Sequence, residues 1–156
     1  SASFGLFALG RLAILPPTVG AVSILLQENR IDLKGKNVVI VGAGRLVGLP
    51  LALWCVREKA TLTVANEHTQ DLASITKNAD ILISGVGKKG LIKGDMVKKG
   101  ALVIDAGTSV EQGTSFGDVD FESVAKKAGF LTPVPGGVGP LTVACLLRNL
   151  FMLSSA

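Results

Sequence analysis

The chain has 156 residues, 48% of them hydrophobic and 18% charged, with a formal net charge of +4. That length fits one domain with a real core, and a mean hydropathy of +0.51 suits an α/β fold whose parallel sheet is buried on both faces. A bilayer span is excluded: the charge-free apolar stretch from Leu46 to Val56 contains Pro50 and falls short of the roughly 20 residues that a crossing needs.

In chain order, the first 15 residues are apolar but broken by Arg11, and Pro16-Pro17 closes them. Thr18 to Gln27 has apolar residues at Val19, Val22, Ile24, Leu25 and Leu26 and predicts a helix. Residues 31–36 form a polar turn ending at Gly35. Val38 to Val41 is a buried strand, and Leu46 to Arg57 is a helix apolar almost all round, set to pack on the sheet and against a partner subunit. Thr61 to Ala65 is a second strand, rich in β-branched residues. Thr69 to Lys77 reads as a helix with Thr69 as its N-cap. Ile81 to Ser84 is a third strand, Gly94 to Lys98 a short helical turn stopped by Gly100, and Ala101 to Asp105 a fourth strand. Glu111 to Phe116 is a loop or hairpin. A helix over 121–128, a short strand at Phe130-Leu131, a proline- and glycine-rich loop over 132–140 and a helix from Leu141 to Met152 complete the chain. Strands alternating with helices mean βαβ units: a Rossmann-like, doubly wound, mainly parallel sheet with helices on both faces.

The most informative stretch is Val38-Val39-Ile40-Val41-Gly42-Ala43-Gly44-Arg45-Leu46-Val47-Gly48. A strand stops at a glycine, two more glycines follow, and a helix begins. This is the turn that cradles a dinucleotide pyrophosphate: Gly42 permits the turn, Gly44 lets backbone approach phosphate, and the helix start offers free N–H groups. The spacing is G-x-G-x-x-x-G, one residue longer than the common form. Ligands in such sheets lie beyond the carboxyl ends of the strands. Besides the glycine turn, those ends carry Asn66-Glu67-His68-Thr69, Gly85-Val86-Gly87 and Ala106-Gly107-Thr108. Glu67 is placed to accept hydrogen bonds from the ribose hydroxyls and to repel a 2′-phosphate, which favours NAD over NADP. His68, the sole histidine, reads as an exposed loop residue or an adenosine contact. Arg45 can pair with phosphate or cover a helix end. Asp105 is expected to hold loop amides. The loop from Thr132 to Thr142 is stiffened by prolines and exposes backbone at glycines, with Thr142 set to cap the following helix or meet a ligand.

Cys55 and Cys145 sit in apolar surroundings and read as buried free thiols of a reducing compartment. No zinc-ligand spacing is present, and no metal site is expected. Lys88, Lys89, Lys93, Lys98, Lys99, Lys126 and Lys127 have no interleaved aromatics and no Tyr exists in the chain, so they form a solvated face that steers anions rather than a nucleic-acid site. The chain starts with Ser, lacks a signal peptide and reads as part of something longer, located in the cytoplasm, or in the mitochondrial matrix if eukaryotic.

Several motifs occur in one order: Ile40-Val41-Gly42-Ala43-Gly44-Arg45-Leu46-Val47-Gly48-Leu49-Pro50, then Val103-Ile104-Asp105-Ala106-Gly107, Gly117-Asp118-Val119, and Pro133-Val134-Pro135-Gly136-Gly137-Val138-Gly139-Pro140-Leu141-Thr142. From about Pro16 to Met152 they closely resemble the nucleotide-binding domain of the bifunctional methylenetetrahydrofolate dehydrogenase/methenyltetrahydrofolate cyclohydrolase family. The resemblance implies oxidation of methylenetetrahydrofolate by NAD(P), hydrolysis of the methenyl product to formyltetrahydrofolate, and a homodimer. Together with the strand-end loops, it gives expected cofactor contacts at Gly42, Ala43, Gly44, Arg45, Val47, Glu67, His68, Gly85, Val86, Gly87, Gly107, Thr108 and Thr142, of which the resemblance itself supplies Gly42, Ala43, Gly44, Glu67, Thr108 and the 135–142 loop. It implies a substrate-side loop at Pro135, Gly136, Gly137 and Val138, with Thr108 meeting the nicotinamide carboxamide through its backbone.

The family often carries Gly-Arg-Ser at the phosphate turn and His-Ser-Arg-Thr after the second strand. This chain has Gly42-Ala43-Gly44 and Asn66-Glu67-His68-Thr69, so groups that would welcome a 2′-phosphate are gone. The usual Pro-Cys-Thr-Pro becomes Pro16-Pro17-Thr18-Val19, and the usual isoleucine after Asp-Val-Gly becomes Thr108. The family's acid/base lysine lies in a Tyr-x-x-x-Lys motif of an N-terminal domain. No lysine here matches it, so no catalytic residue is assigned, residues 1–15 read as the end of a connecting helix, and residues 16–156 as the cofactor domain. A non-catalytic dinucleotide-binding sensor or scaffold is the alternative.

Overall fold

The computed structural model describes residues 2–155. β1 (Asn37–Val41), β2 (Thr61–Ala65), β3 (Ile81–Ser84) and β4 (Leu102–Asp105) follow the sequence pattern closely. A hairpin of β5 (Ser109–Glu111) and β6 (Thr114–Phe116) comes next, then the two-residue β7 (Phe130–Leu131). The main sheet runs β2-β1-β3-β4-β7 and every pair in it is parallel.

Strict alternation divides the strands between two cores. Val38, Ile40, Ile81, Ile83, Leu102 and Ile104 face α1 (Ala2–Ala8), α2 (Pro17–Glu28) and α3 (Gly48–Arg57). Val39, Val41, Leu82 and Val103 face α4 (Leu72–Thr76), a 3₁₀ turn at Gly94–Met96 and α5 (Phe121–Ala125). The long C-terminal helix α6 (Val138–Ser154) joins the first face through Val138 and Leu141. The doubly wound class expected from the sequence is therefore the fold, with strand order 2-1-3-4-5 when only the main sheet is counted. The Asn149 side chain donates to the Leu15 carbonyl at 2.8 Å and ties α6 to the segment ahead of α2.

Several boundaries differ from the sequence reading, each for a local reason. Leu46 lies outside α3 and is 85% exposed, because residues 42–47 are spent on the glycine turn. Thr69 does not cap α4. Its Oγ1 accepts from the Asn66 N–H and closes the loop after β2, while Asp71 caps the helix by accepting from the Ser74 N–H. α5 stops at Ala125, short of residue 128. α6 starts three residues before Leu141, since Pro140 falls in the first turn, where its missing N–H costs nothing. The segment left open as loop or hairpin is a hairpin. Gln112 and Gly113 both have positive φ, as a two-residue turn with the right twist requires. Lys89 pins it, with Nζ 2.9 Å from Glu111 and 3.5 Å from the Phe116 ring centroid.

The basic residues singled out from the sequence are exposed. Lys98 pairs with Asp80 at 2.6 Å and, with a second bond from the Asn37 N–H, holds that carboxyl below its usual range. No helix among the described residues is long and apolar enough to cross a membrane.

Both cysteines are free and buried. Burial pushes the Cys55 thiol up to about 12, with the Glu58 charge adding to the shift. The thiolate is the reactive form, so Cys55 should resist a thiol reagent at pH 8 in the native chain and react once denaturant exposes it. Thiol titration with and without denaturant measures this, and rapid native labelling of Cys55 contradicts it.

Candidate functional site

The connections leaving β1 and β3 run to opposite sides of the sheet. A cleft therefore opens beyond their carboxyl ends. Gly42 ends β1 with φ +104°, and an added Cβ would meet the Gly85 carbonyl oxygen at 2.7 Å. Gly48 opens α3 and is buried; an added Cβ would collide with the Gly42 carbonyl oxygen and come within 2.7 Å of its carbon. Gly85, after β3, is filled on its open side by Val47, whose Cγ1 would lie 2.5 Å from an added Cβ. Strand end, helix start and neighbouring loop are thus packed backbone on backbone.

Gly44 is different: its surroundings are open. It stands beside the N-terminus of α3, where Val47 supplies no side-chain cap. The Leu49 N–H donates to the Gly44 carbonyl at 2.9 Å and Pro50 has no N–H, so the Gly48 N–H and the open backbone of the turn are what the start of α3 offers a phosphate. The turn therefore fits the pyrophosphate of a dinucleotide. Ala43, Gly44 and Arg45 are exposed on its rim, and Val47 is half-buried against the first core.

Two cavities lie beyond the carboxyl ends of the strands, and only the first touches the turn, through Gly42. One, of about 280 Å³, is bounded by Gly42, Asn66, Glu67, Val86 and Lys88. Glu67 sits at the tip of a loop that Asn66 closes by accepting from the His68 N–H. His68 is outside this cavity, with its side chain 87% exposed and Nε2 3.8 Å from Glu67 Oε1. Gly87 lines neither cavity and has φ +78°. The other cavity, of about 320 Å³, lies between the Gly107-Thr108 loop after β4 and the Pro135-Gly136-Gly137 loop ahead of α6. The structure thus gathers Gly107, Thr108, Pro135, Gly136, Gly137, Val138 and Thr142 around one space. Two of them need correction. The Val138 side chain is 4% exposed and belongs to the first core. Thr142 does not cap α6: its Oγ1 donates to the Val138 carbonyl one turn back, at 2.9 Å.

Asp105 does what its position suggests. Its carboxylate accepts from the N–H groups of Gly107 at 3.0 Å, Asp118 at 3.1 Å and Val119 at 2.9 Å. Burial raises its pKa above the ordinary value, against those bonds, and the charge of Asp118 adds to the rise. Asp118 and Lys88 are site residues that the sequence reading passed over. Asp118 showed only as the middle of Gly117-Asp118-Val119, and Lys88 only as one of many lysines. A buried strand ending in Ser84 was the available clue to a polar partner. Among the described residues, no group of three or more His, Cys, Asp or Glu is placed to hold a metal.

A glycine turn at the switch point of a doubly wound sheet, with cavities beyond the strand ends, defines a dinucleotide-binding domain. The family described as tetrahydrofolate dehydrogenase/cyclohydrolase, NAD(P)-binding domain, matches residues 16–156, and the chain belongs to it. It is 56% identical over 137 residues to the bifunctional protein FolD of Hydrogenobaculum sp. (strain Y04AAS1), a match that covers 88% of this chain and 49% of that protein. The crystal structure of the bifunctional FolD methylenetetrahydrofolate dehydrogenase/cyclohydrolase from Campylobacter jejuni superposes with a TM-score of 0.89 at 45% identity, over 94% of this chain and 52% of that one. The FolD of Trypanosoma brucei, solved with NADP cofactor and inhibitor, gives 0.88 at 39% identity, over 95% of this chain and 54% of that one. The chain spans about half the length of the curated relatives it matches.

Gly48→Ala tests the packed turn. The methyl has no room beside the Gly42 carbonyl, so the strand end or the helix must shift. Overpacking of this kind costs about 1–3 kcal/mol. The expected result is a lowered melting temperature and loss of dinucleotide binding, whereas Gly44→Ala, in open space, should leave stability within about 0.5 kcal/mol. Equal stability of the two variants by thermal denaturation contradicts the assignment.

Proposed function

We propose that this chain is the cofactor-binding part of an enzyme that oxidises methylenetetrahydrofolate to the methenyl form and hydrolyses that to formyltetrahydrofolate. The observation that carries the reading is the glycine turn at the switch point of the sheet, with one cavity beside Gly42 and Glu67 and a second beneath the proline–glycine loop ahead of α6. The dinucleotide supplies a hydride acceptor when bound. The chain's own residues bind, orient and exclude water. Gly42, Ala43 and Gly44, with the start of α3, hold the pyrophosphate. Asn66, Glu67 and Val86 receive the adenosine side, and Gly107 and Thr108 present backbone to the nicotinamide. Pro135, Gly136 and Gly137 form the wall on the folate side.

Proton transfer is assigned elsewhere in the whole protein. Of the residues around the larger cavity, Asp105 alone has an ionisable side chain, and its oxygens are committed to three backbone N–H groups. The chain by itself should therefore bind cofactor and yet show no dehydrogenase turnover with methylenetetrahydrofolate. A spectrophotometric assay for reduced nicotinamide checks this, and measurable turnover would mean that an acid or base on this chain has been missed.

We infer a preference for NAD over NADP. The Glu67 carboxylate borders the cavity where the adenosine ribose fits, and a 2′-phosphate there would meet a like charge. Lys88 on the same cavity supports the opposite reading, since it offers a cation to that phosphate. Calorimetric titration of both cofactors decides between them. The expected outcome is NAD tighter by about tenfold, a difference of about 1.4 kcal/mol, with Glu67→Gln narrowing the gap. Tighter NADP binding by the parent chain overturns the preference.

A further inference from the structure

We propose that Asp118 is a positioning residue that sets the spacing between the two halves of the cofactor cleft. Its carboxylate is fully buried yet lies between loops rather than within an element. Oδ2 accepts from the Ser84 hydroxyl at 2.7 Å and from the Val86 N–H at 2.7 Å. Oδ1 accepts from the Lys88 N–H at 2.8 Å. Val86 and Lys88 wall the smaller cavity. On its other side, the Asp118 N–H donates to Asp105, which also accepts from Gly107 on the larger cavity. The loops after β3 and β4 are therefore joined through two carboxylates in sequence.

The arrangement is costly, and the sequence accommodates it. Neither carboxylate has a cationic partner among the described ion pairs. Each is balanced by three hydrogen bonds instead, five of the six from backbone N–H groups. Gly107 leaves room for Asp118, since an added Cβ would overlap its carboxylate, and Gly117 leaves room for Asp105 in the same way. A buried ionised group held in this fashion fixes the donors around it, because moving any of them leaves charge uncompensated. The donors here are cleft walls, so a dinucleotide that must reach both cavities meets them already at the right separation.

The inference rests on the dinucleotide reading of the cleft, and the test separates the two. In the 156-residue chain, Asp118→Asn replaces one acceptor oxygen by an NH₂ group facing an N–H donor. The preferred dinucleotide should then bind at least tenfold more weakly, while ADP, which reaches only the smaller cavity and the turn, weakens by less than threefold. Ser84→Ala, which removes one donor and keeps both backbone ones, should give the same split with a loss of about threefold for the dinucleotide. Parallel losses of ADP and dinucleotide indicate a merely structural role and overturn the proposal, as does dinucleotide binding within threefold of the parent in a folded Asp118→Asn chain. Should Asp118→Asn fail to fold, amide exchange in the parent gives a further reading: the Val86 and Lys88 N–H groups should be protected before cofactor is added, and protection that appears only on binding overturns the proposal. A parent chain that binds neither NAD nor NADP removes the cofactor reading itself, and this inference with it.

Discussion

The contact on which the cleft depends is the seat of α3 on the end of β1. Gly48 lies against the carbonyl of Gly42, and Gly42 in turn lies against the carbonyl of Gly85. Three backbone segments meet where any side chain would force them apart. This contact brings the start of α3, which has no side-chain cap, to the carboxyl end of the sheet and leaves Gly44 in open space. It also explains the lengthened glycine spacing. The turn spends residues 43–47 on an exposed excursion before the helix can begin, and Val47 comes back to fill the space beside Gly85.

The sheet was legible because its physics is local and periodic. Buried parallel strands need runs of β-branched residues, and β2 and β3 fall where the sequence puts them. Helix ends were less legible because several residues there compete for one role. Thr69 and Asp71 are both good caps, and the choice went to Asp71 only because Thr69 is used to close the preceding loop. Proline at residue 140 reads from the sequence as the end of a loop and is instead part of a first turn. Asp118 was illegible for another reason. Its three acceptor bonds reach back 30, 32 and 34 residues, and no periodicity links a loop carboxylate to a strand end so far away. The glycine turn is the opposite case, since strand, turn and helix start lie within a dozen residues.

On the proposed cofactor reading, selectivity at the ribose end is an electrostatic contest at a solvent-exposed edge. The Glu67 side chain is 82% exposed, so water screens its effect on a 2′-phosphate. Lys88 is exposed as well, but its N–H is fixed by Asp118, which anchors the base of its side chain near the cavity. Glu67 stands at the tip of a self-closed loop on an edge strand. Both charges are exposed and opposite in sign, so on the proposed reading selectivity is a modest energy difference rather than a steric exclusion.

The remainder of the site works mostly through backbone. Gly42, Ala43, Gly44, Gly107, Gly136 and Gly137 have little or no side chain, and the carboxylates nearest them are turned inward to hold loops. Backbone N–H and C=O groups recognise a cofactor by shape and hydrogen bonding and neither gain nor lose protons near neutrality. A cleft built this way can orient a nicotinamide with precision and still have nothing with which to activate a substrate. On the proposed function, hydrolysis of the methenyl folate needs a positioned group that gives or takes a proton. The cleft of this chain uses its buried acids as struts, which supports the proposal that proton transfer belongs to another part of the whole protein.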